Sequence, residues 1–287
     1  MTRPAPDIAT FLAREPAAIV AELTSVRGSS PREEGTFMLV GAETIFGTIG
    51  GGALEYLVIA HARRLIAAGR ASEVMDVPLG PEIGQCCGGR VEVCLDYVTP
   101  ELAERLVARV AAEEVAKPHI YVFGAGHVGR ALARCLSLLP VKAHVVDTRR
   151  EELVDLPGNV ATHASAMPEA VVRSAPPGSA YVILTHDHAL DFLIAMEALK
   201  RADSPYVGMV GSRTKRARFA KWFIGEGGDS AALERLVLPI GQMGLGDKRP
   251  EVIAALAAAE IMVHIGRREV SVGSAPATII SGAVDGR

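Results

Sequence analysis

The chain has 287 residues, of which 49% are hydrophobic, 22% charged and 5% aromatic. That composition excludes a disordered or collagen-like polymer and is long enough for about two domains with separate cores. A formal net charge of −3 and a pI near 6.3 provide no global basic field for nucleic acid or an anionic membrane. The opening residues, MTRPAPDIATFLAREP, lack the apolar core of a signal peptide. The most apolar late stretch, Val252–Val263, is shorter than a membrane span and carries Glu260. Cys86, Cys87, Cys94 and Cys135 are too sparse for a disulfide scaffold, and adjacent cysteines rarely bridge without strain. The reading is a soluble, reduced, cytoplasmic chain with no membrane and no nucleic-acid partner.

In chain order, the stretch from Ala18 to Val98 reads as short strands (AIVAELTSV, TFMLV, EVMDVPL, RVEVCLDYV) broken by Gly and Pro, with one helix in LEYLVIAHARRLIAAG. ELAERLVARVAAEEVAK then places Leu102, Leu106 and Val110 on one helix face, and Pro118 ends it. From His119 onward strands alternate with helices. HIYVF is a continuous apolar strand, followed by a helix with a Val128, Ala131, Leu132, Cys135, Leu136 and Leu139 stripe. KAHVVDT, NVATHA, SAYVILTH, PYVGMVG and RLVLPI follow as strands, with PEAVVRSA, ALDFLIAMEALKR and TKRARFAKWFIG as helices. A last helix starts at Pro250, with Val252, Leu256, Ala259 and Val263 as its stripe, and a peripheral tail follows Arg267. The fold class is therefore α/β: a C-terminal Rossmann-type doubly wound parallel sheet, order 3-2-1-4-5-6, with a smaller mixed α+β N-terminal domain. The boundaries are 1–100 for the N-terminal domain, 101–118 for a linker helix, 119–266 for the Rossmann-type domain and 267–287 for the tail.

The first site is the glycine loop. Gly124, Gly126 and Gly129 form G-x-G-x-x-G between a strand and a helix, where backbone N–H groups and the helix N-terminus receive a phosphate. His127 lies inside the loop and borders the ligand. Asp147 ends the next strand, where a dinucleotide fold holds a ribose hydroxyl. His186 and Asp187 follow the fourth strand, which flanks the same crevice. His186 and His188, two residues apart, lack a clear third metal ligand. Ser212, Arg213, Lys215, Arg216 and Arg218 read either as a solvated cationic face or as a phosphate-docking patch.

The N-terminal half carries three more glycine-rich segments. Ser29, Ser30 and Arg32 lie in RGSSPR, whose hydroxyls and guanidinium groups suit an anion. Gly50 and Gly51 lie in GTIGGG, which runs into a helix and exposes backbone N–H groups. Cys86 and Cys87 lie in GQCCGG, where flanking glycines favour accessible thiols able to act as nucleophiles, sulfur carriers or soft-metal ligands. Cys94, opposite the apolar face of its strand, and Cys135, in a helix stripe, read as structural.

SSPREEG, GTIGGGALE, GQCCGG, FGAGHVGRALA, VVDTR, THDHALD, GMVGSRTKRARF and PIGQMGLGDKRPEVIAALAAAE together resemble the XdhC/CoxI family, on its XdhC branch of xanthine dehydrogenase accessory proteins. The similarity runs from Glu22 to Ile265. The resemblance implies a carrier rather than an enzyme. It would bind the molybdenum cofactor in its molybdopterin form, protect it during sulfuration and insert it into the molybdenum subunit of apo-xanthine dehydrogenase. It further implies a cysteine desulfurase as sulfur donor and a homodimer. Cys86 and Cys87 are then the candidate contacts to molybdenum. The competing readings are an NAD(P)-dependent oxidoreductase using His186 and Asp187, or a nucleotide-sensing module.

Overall fold

The structure, a computed structural model, describes residues 7–81, 88–242 and 245–273. The backbone divides into two compact units, Met1–Ala116 and Lys117–Arg287.

The first unit is built on an antiparallel sheet of β1 (Ile19–Arg27), β2 (Phe37–Val40), β3 (Ile45–Gly47), β4 (Ser72–Pro78) and β5 (Arg90–Tyr97), in the order β3-β2-β1-β5-β4. Alternation sends Ile19, Ala21 and Leu23 of β1 and Val91, Val93 and Leu95 of β5 to one face. There they meet Leu54, Val58, Ala62 and Leu65 of helix α2 (Gly52–Ala68). The opposite face holds Val20 and Leu39 against α1 (Ile8–Arg14) and α3 (Pro100–Ala116). Helix α1 was not anticipated from the sequence. Asp7 caps it by accepting from the Thr10 N–H at 2.7 Å, and Ile8 and Phe11 bury. Helix α3, read from sequence as a linker, lies within the first unit and contributes Leu106 to its core.

The second unit is the expected doubly wound sheet. Strands β6 (His119–Phe123), β7 (Lys142–Asp147), β8 (Ala161–Ala164), β9 (Ala180–Ile183), β10 (Val207–Met209) and β11 (Leu236–Val237) are all parallel, in the order β11-β10-β9-β6-β7-β8. This is the 3-2-1-4-5-6 arrangement, with β6 and β9 flanking the switch point. Helices α4 (His127–Leu136) and α9 (Pro250–Gly273) cover one face. Helices α5 (Pro168–Ser174), α6 (His188–Lys200) and α7 (Arg213–Gly225) cover the other, and a short α8 (Ser230–Glu234) precedes β11.

Two expectations about α9 need correction. Its buried residues are Ala254, Ala257, Ala258, Ile261 and Ile265, whereas Val263 is 49% exposed. The helix packs closely on α4, and alanines permit that approach, so the bulkier Val252, Leu256 and Val263 stripe is turned away from the core centre. The helix also continues past Arg267, through Gly273.

On the α5–α6 face His119, His144 and His163 line up across three neighbouring strands. The rings meet edge to edge, with N···N distances of 2.9 and 3.0 Å, and Tyr121 stacks on His144 at 4.3 Å. Burial pushes the His144 imidazole down to about 4, helped by the charges of its two neighbours and Lys142.

Candidate functional site

The glycine loop takes its shape from three different glycine requirements. Gly124, at φ 107°, lies against the backbone that follows β9: a Cβ there would stand 2.5 Å from the Leu184 carbonyl oxygen. A Cβ on Gly129 would overlap the Gly124 carbonyl oxygen, so the third glycine lets the helix close onto the loop. Gly126 is different. It caps α4 at φ −69°, and a Cβ there meets nothing within 4 Å. The free space lies where backbone N–H groups of a helix N-terminus face outward, as phosphate binding requires. His127 is exposed at the first helical position beside it.

The sheet brings Gly124, Asp147 and His186 together: with Thr148, Pro168 and Thr185 they line a narrow cleft of about 10 Å³, roughly one water in size. Asp147 is buried, and its carboxylate accepts from the Ala125 N–H at 2.8 Å and the Arg149 N–H at 2.9 Å. Burial pushes its pKa up, but these bonds and the Arg149 guanidinium outweigh it and leave the carboxyl below its usual range. Asp187 is the N-cap of α6, accepting from Ala189 N–H at 2.8 Å and Leu190 N–H at 3.4 Å. Its Oδ1 is therefore engaged with the helix, while His186 stays exposed at the cleft.

The cationic cluster after β10 is not one solvated face. Ser212 caps α7 through the Lys215 N–H, and Arg213 and Arg218 are exposed. Lys215 is buried: its Nζ donates to Asp191 and, at 2.9 Å, to the Val210 carbonyl. Arg216 reaches the Leu236 carbonyl at 2.7 Å. Asp191 is fully buried and accepts on its other oxygen from Thr185 Oγ at 2.7 Å and Thr185 N–H at 3.1 Å. One buried ion pair thus ties the loops after β9 and β10, which border the crevice. A sequence signal for it exists. Asp191 falls in register with the buried Ile194, Ala195 and Ala198, and Lys215 with Phe219 and Phe223, so both are charges on core faces.

Farther along the same carboxyl edge, part of the PIGQMGLGDKRP segment borders a cavity of about 510 Å³. Val210, Ile240 and Ile253 give it an apolar floor, and Lys248 a polar rim.

In the first unit the glycine-rich segments converge. A Cβ on Gly89 would stand 2.0 Å from the Ser29 carbonyl oxygen, and one on Gly50 would stand 2.5 Å from Pro31 Cγ. Ser29 and Arg32 are exposed on this loop, and Ser30 Oγ accepts the Arg32 N–H at 3.4 Å. Gly50, Gly51 and Gly52 have φ of 131°, 80° and 65°, a run that side-chain-bearing residues rarely adopt. Glu55 turns back from α2 to accept the Ile49 N–H at 3.0 Å and the Thr48 hydroxyl. Cys86 and Cys87 lie outside the described residues. Cys94 is half-buried, and burial, with Asp96 beside it, pushes its thiol up to about 11, which makes it a poor nucleophile.

Comparison with known proteins follows the same division. A model of the XdhC Rossmann domain matches residues 120–261, and a model of the XdhC and CoxI family matches residues 11–77. The Escherichia coli K12 protein YqeB is 27% identical over 255 residues, covering 85% of this chain and 42% of YqeB. The chain thus spans less than half the length of that curated relative. The crystal structure of a Bacillus halodurans xanthine dehydrogenase superposes with a TM-score of 0.77 at 19% identity. That match covers 94% of this chain and 97% of the other, and it is a likeness of fold.

Proposed function

The chain belongs to the XdhC and CoxI family, and from that premise we propose that it is an accessory protein of xanthine dehydrogenase maturation. It binds the molybdenum cofactor in its molybdopterin form, shields it while the sulfido ligand is installed, and delivers it to the molybdenum subunit of the apo-enzyme. A cysteine desulfurase supplies the sulfur, and the working species is a homodimer. The role is that of a carrier and insertion chaperone in the cytoplasm.

The observation that carries this reading is the open backbone at Gly126 on the N-terminus of α4. The cofactor ends in a phosphate, and this loop offers such an anion N–H donors and a helix dipole without a side chain in the way. His127 and His186 border the position. When bound, the cofactor supplies the dithiolene-held molybdenum that the client enzyme uses. The glycine loop of the second unit would hold the phosphate, and the thiols of Cys86 and Cys87 have the softness and nucleophilicity that handling sulfur requires. In the first unit, Ser29, Ser30 and Arg32 present hydroxyls and a guanidinium suited to an anion.

The test is to purify the protein from cells that make the cofactor and to measure the fluorescent pterin released on oxidation. Stoichiometric pterin, and activation of apo-xanthine dehydrogenase by the loaded protein, are expected. A Cys86→Ser, Cys87→Ser double variant should fold yet lose most of the transfer. Absence of pterin from the parent protein would refute the reading.

A further inference from the structure

In a dinucleotide-binding fold the carboxylate ending the second strand accepts hydrogen bonds from the ribose hydroxyls. Asp147 occupies that place at the end of β7, yet it is only 5% exposed. A carboxylate has about four acceptor positions on its two oxygens. Oδ2 accepts from the Ala125 N–H at 2.8 Å and from Arg149 Nη2 at 3.5 Å. Oδ1 accepts from the Arg149 N–H at 2.9 Å and from Arg149 Nε at 3.3 Å. Two positions are filled by backbone N–H groups at ordinary hydrogen-bond length, and the Arg149 guanidinium lies across the remaining two at 3.3 and 3.5 Å.

The bonds continue into a closed ring. Arg149 pairs with Glu152 at 3.2 Å, Glu152 also pairs with Arg130 at 3.2 Å, and Arg130 Nε donates to the Ala125 carbonyl at 3.0 Å. Ala125, whose N–H began the ring at Asp147, is the second residue of the glycine loop. Both backbone groups of one loop residue are therefore held by charged side chains, which fixes the loop before any ligand arrives.

We infer that this ring makes the site selective for a phosphate monoester that lacks a ribose diol. The Asp147–Arg149 pair is its specificity-determining element, withholding the carboxylate that an NAD-type dinucleotide uses. The inference rests on the reading that the glycine loop receives a phosphate. A ribose could reach Asp147 only by displacing Arg149, and so by breaking a charge-assisted, forked interaction. The ring also gives the carboxylate a purpose that a pterin cofactor without ribose otherwise leaves unexplained.

The experiment is calorimetric titration of the full chain with two probes, a pterin phosphate monoester and NAD⁺. The parent should bind the pterin phosphate and show little affinity for NAD⁺. Arg149→Met keeps the aliphatic stem and removes the guanidinium from Asp147, while the Arg149 backbone N–H stays in place. It should gain about tenfold or more in NAD⁺ affinity and lose some pterin phosphate affinity, because opening the ring loosens the loop. Arg149→Lys, which keeps charge without the fork, should fall between. Should Arg149→Met unfold, Glu152→Gln makes the same comparison by loosening Arg149 from outside, with a smaller gain. NAD⁺ binding to the parent as tight as to the variant overturns the selectivity inference and leaves the phosphate reading standing. A gain of NAD⁺ affinity in a protein whose parent ignores pterin phosphate supports the selectivity ring and refutes the pterin reading. Variants indifferent to NAD⁺ overturn the inference.

Discussion

Replacing Lys215 with Met tests the most consequential internal contact of the second unit. Met keeps most of the stem volume but removes the ammonium that pairs with Asp191 and donates to the Val210 carbonyl. Both side chains are out of water, at 9% and 0% exposure, so the remaining Asp191 charge has no solvent to turn to. Breaking such a pair from one side costs about 3–5 kcal/mol. With a urea slope of about 2 kcal/mol/M, the unfolding midpoint should fall by roughly 2 M. The chain's single tryptophan, Trp222, sits on α7 with Lys215, packed against Phe192 and Phe219. Its fluorescence therefore reports this unit. Adding Asp191→Asn removes the stranded charge while an amide oxygen can still accept from Thr185, so the double variant should recover most of the loss. A midpoint shift below about 0.3 M for Lys215→Met, or a double variant no more stable than the single, would refute the account. The single variant should also weaken phosphate-ester binding, because Thr185, which borders the cleft, hydrogen-bonds Asp191.

Two further outcomes follow from the same geometry. Gly126→Val should fold normally, since its Cβ enters open space at an ordinary φ, yet should lose ligand affinity by at least about tenfold. Gly129→Ala should destabilise the second unit, because its Cβ would overlap the Gly124 carbonyl; the reverse ranking in thermal melts and titrations would show that the loop is not organised this way. The histidine row predicts a pH dependence. His144 is held at about 4 in the fold against 6.5 when free, so in that window the unfolded chain binds more protons than the folded one. Stability fully present above about pH 6.5 should decline as pH falls toward about 4. Melting temperatures between pH 7.5 and 4.5 measure this, and His144→Phe should flatten the decline; an unchanged slope in that variant would remove His144 as its source.

Elements governed by short-range rules were legible in the sequence. The parallel strands from HIYVF to RLVLPI, the glycine loop opening α4 and the alternation of β5 each repeat at a period fixed by backbone geometry. The glycine fingerprint carried part of its meaning locally, since Gly129 needs space because of Gly124 five residues earlier, whereas Gly124 is confined by Leu184 just past the end of a distant strand. What escaped depended on partners distant in the chain. Lys215 reads as one cation among four, and only the packing of α7 on α6 makes it the buried partner of Asp191, 24 residues earlier. Asp147 reads as a ribose acceptor, but the approach of Ala125 and the turn at Arg149 fill its lone pairs from inside. The apolar stripe of α9 follows the larger side chains Val252, Leu256 and Val263, whereas the core takes a different face, with Ala254, Ala257 and Ala258 followed by Ile261 and Ile265. Periodicity specifies that a face will be buried; the distance to the opposing element decides which face, and which charges must find each other there.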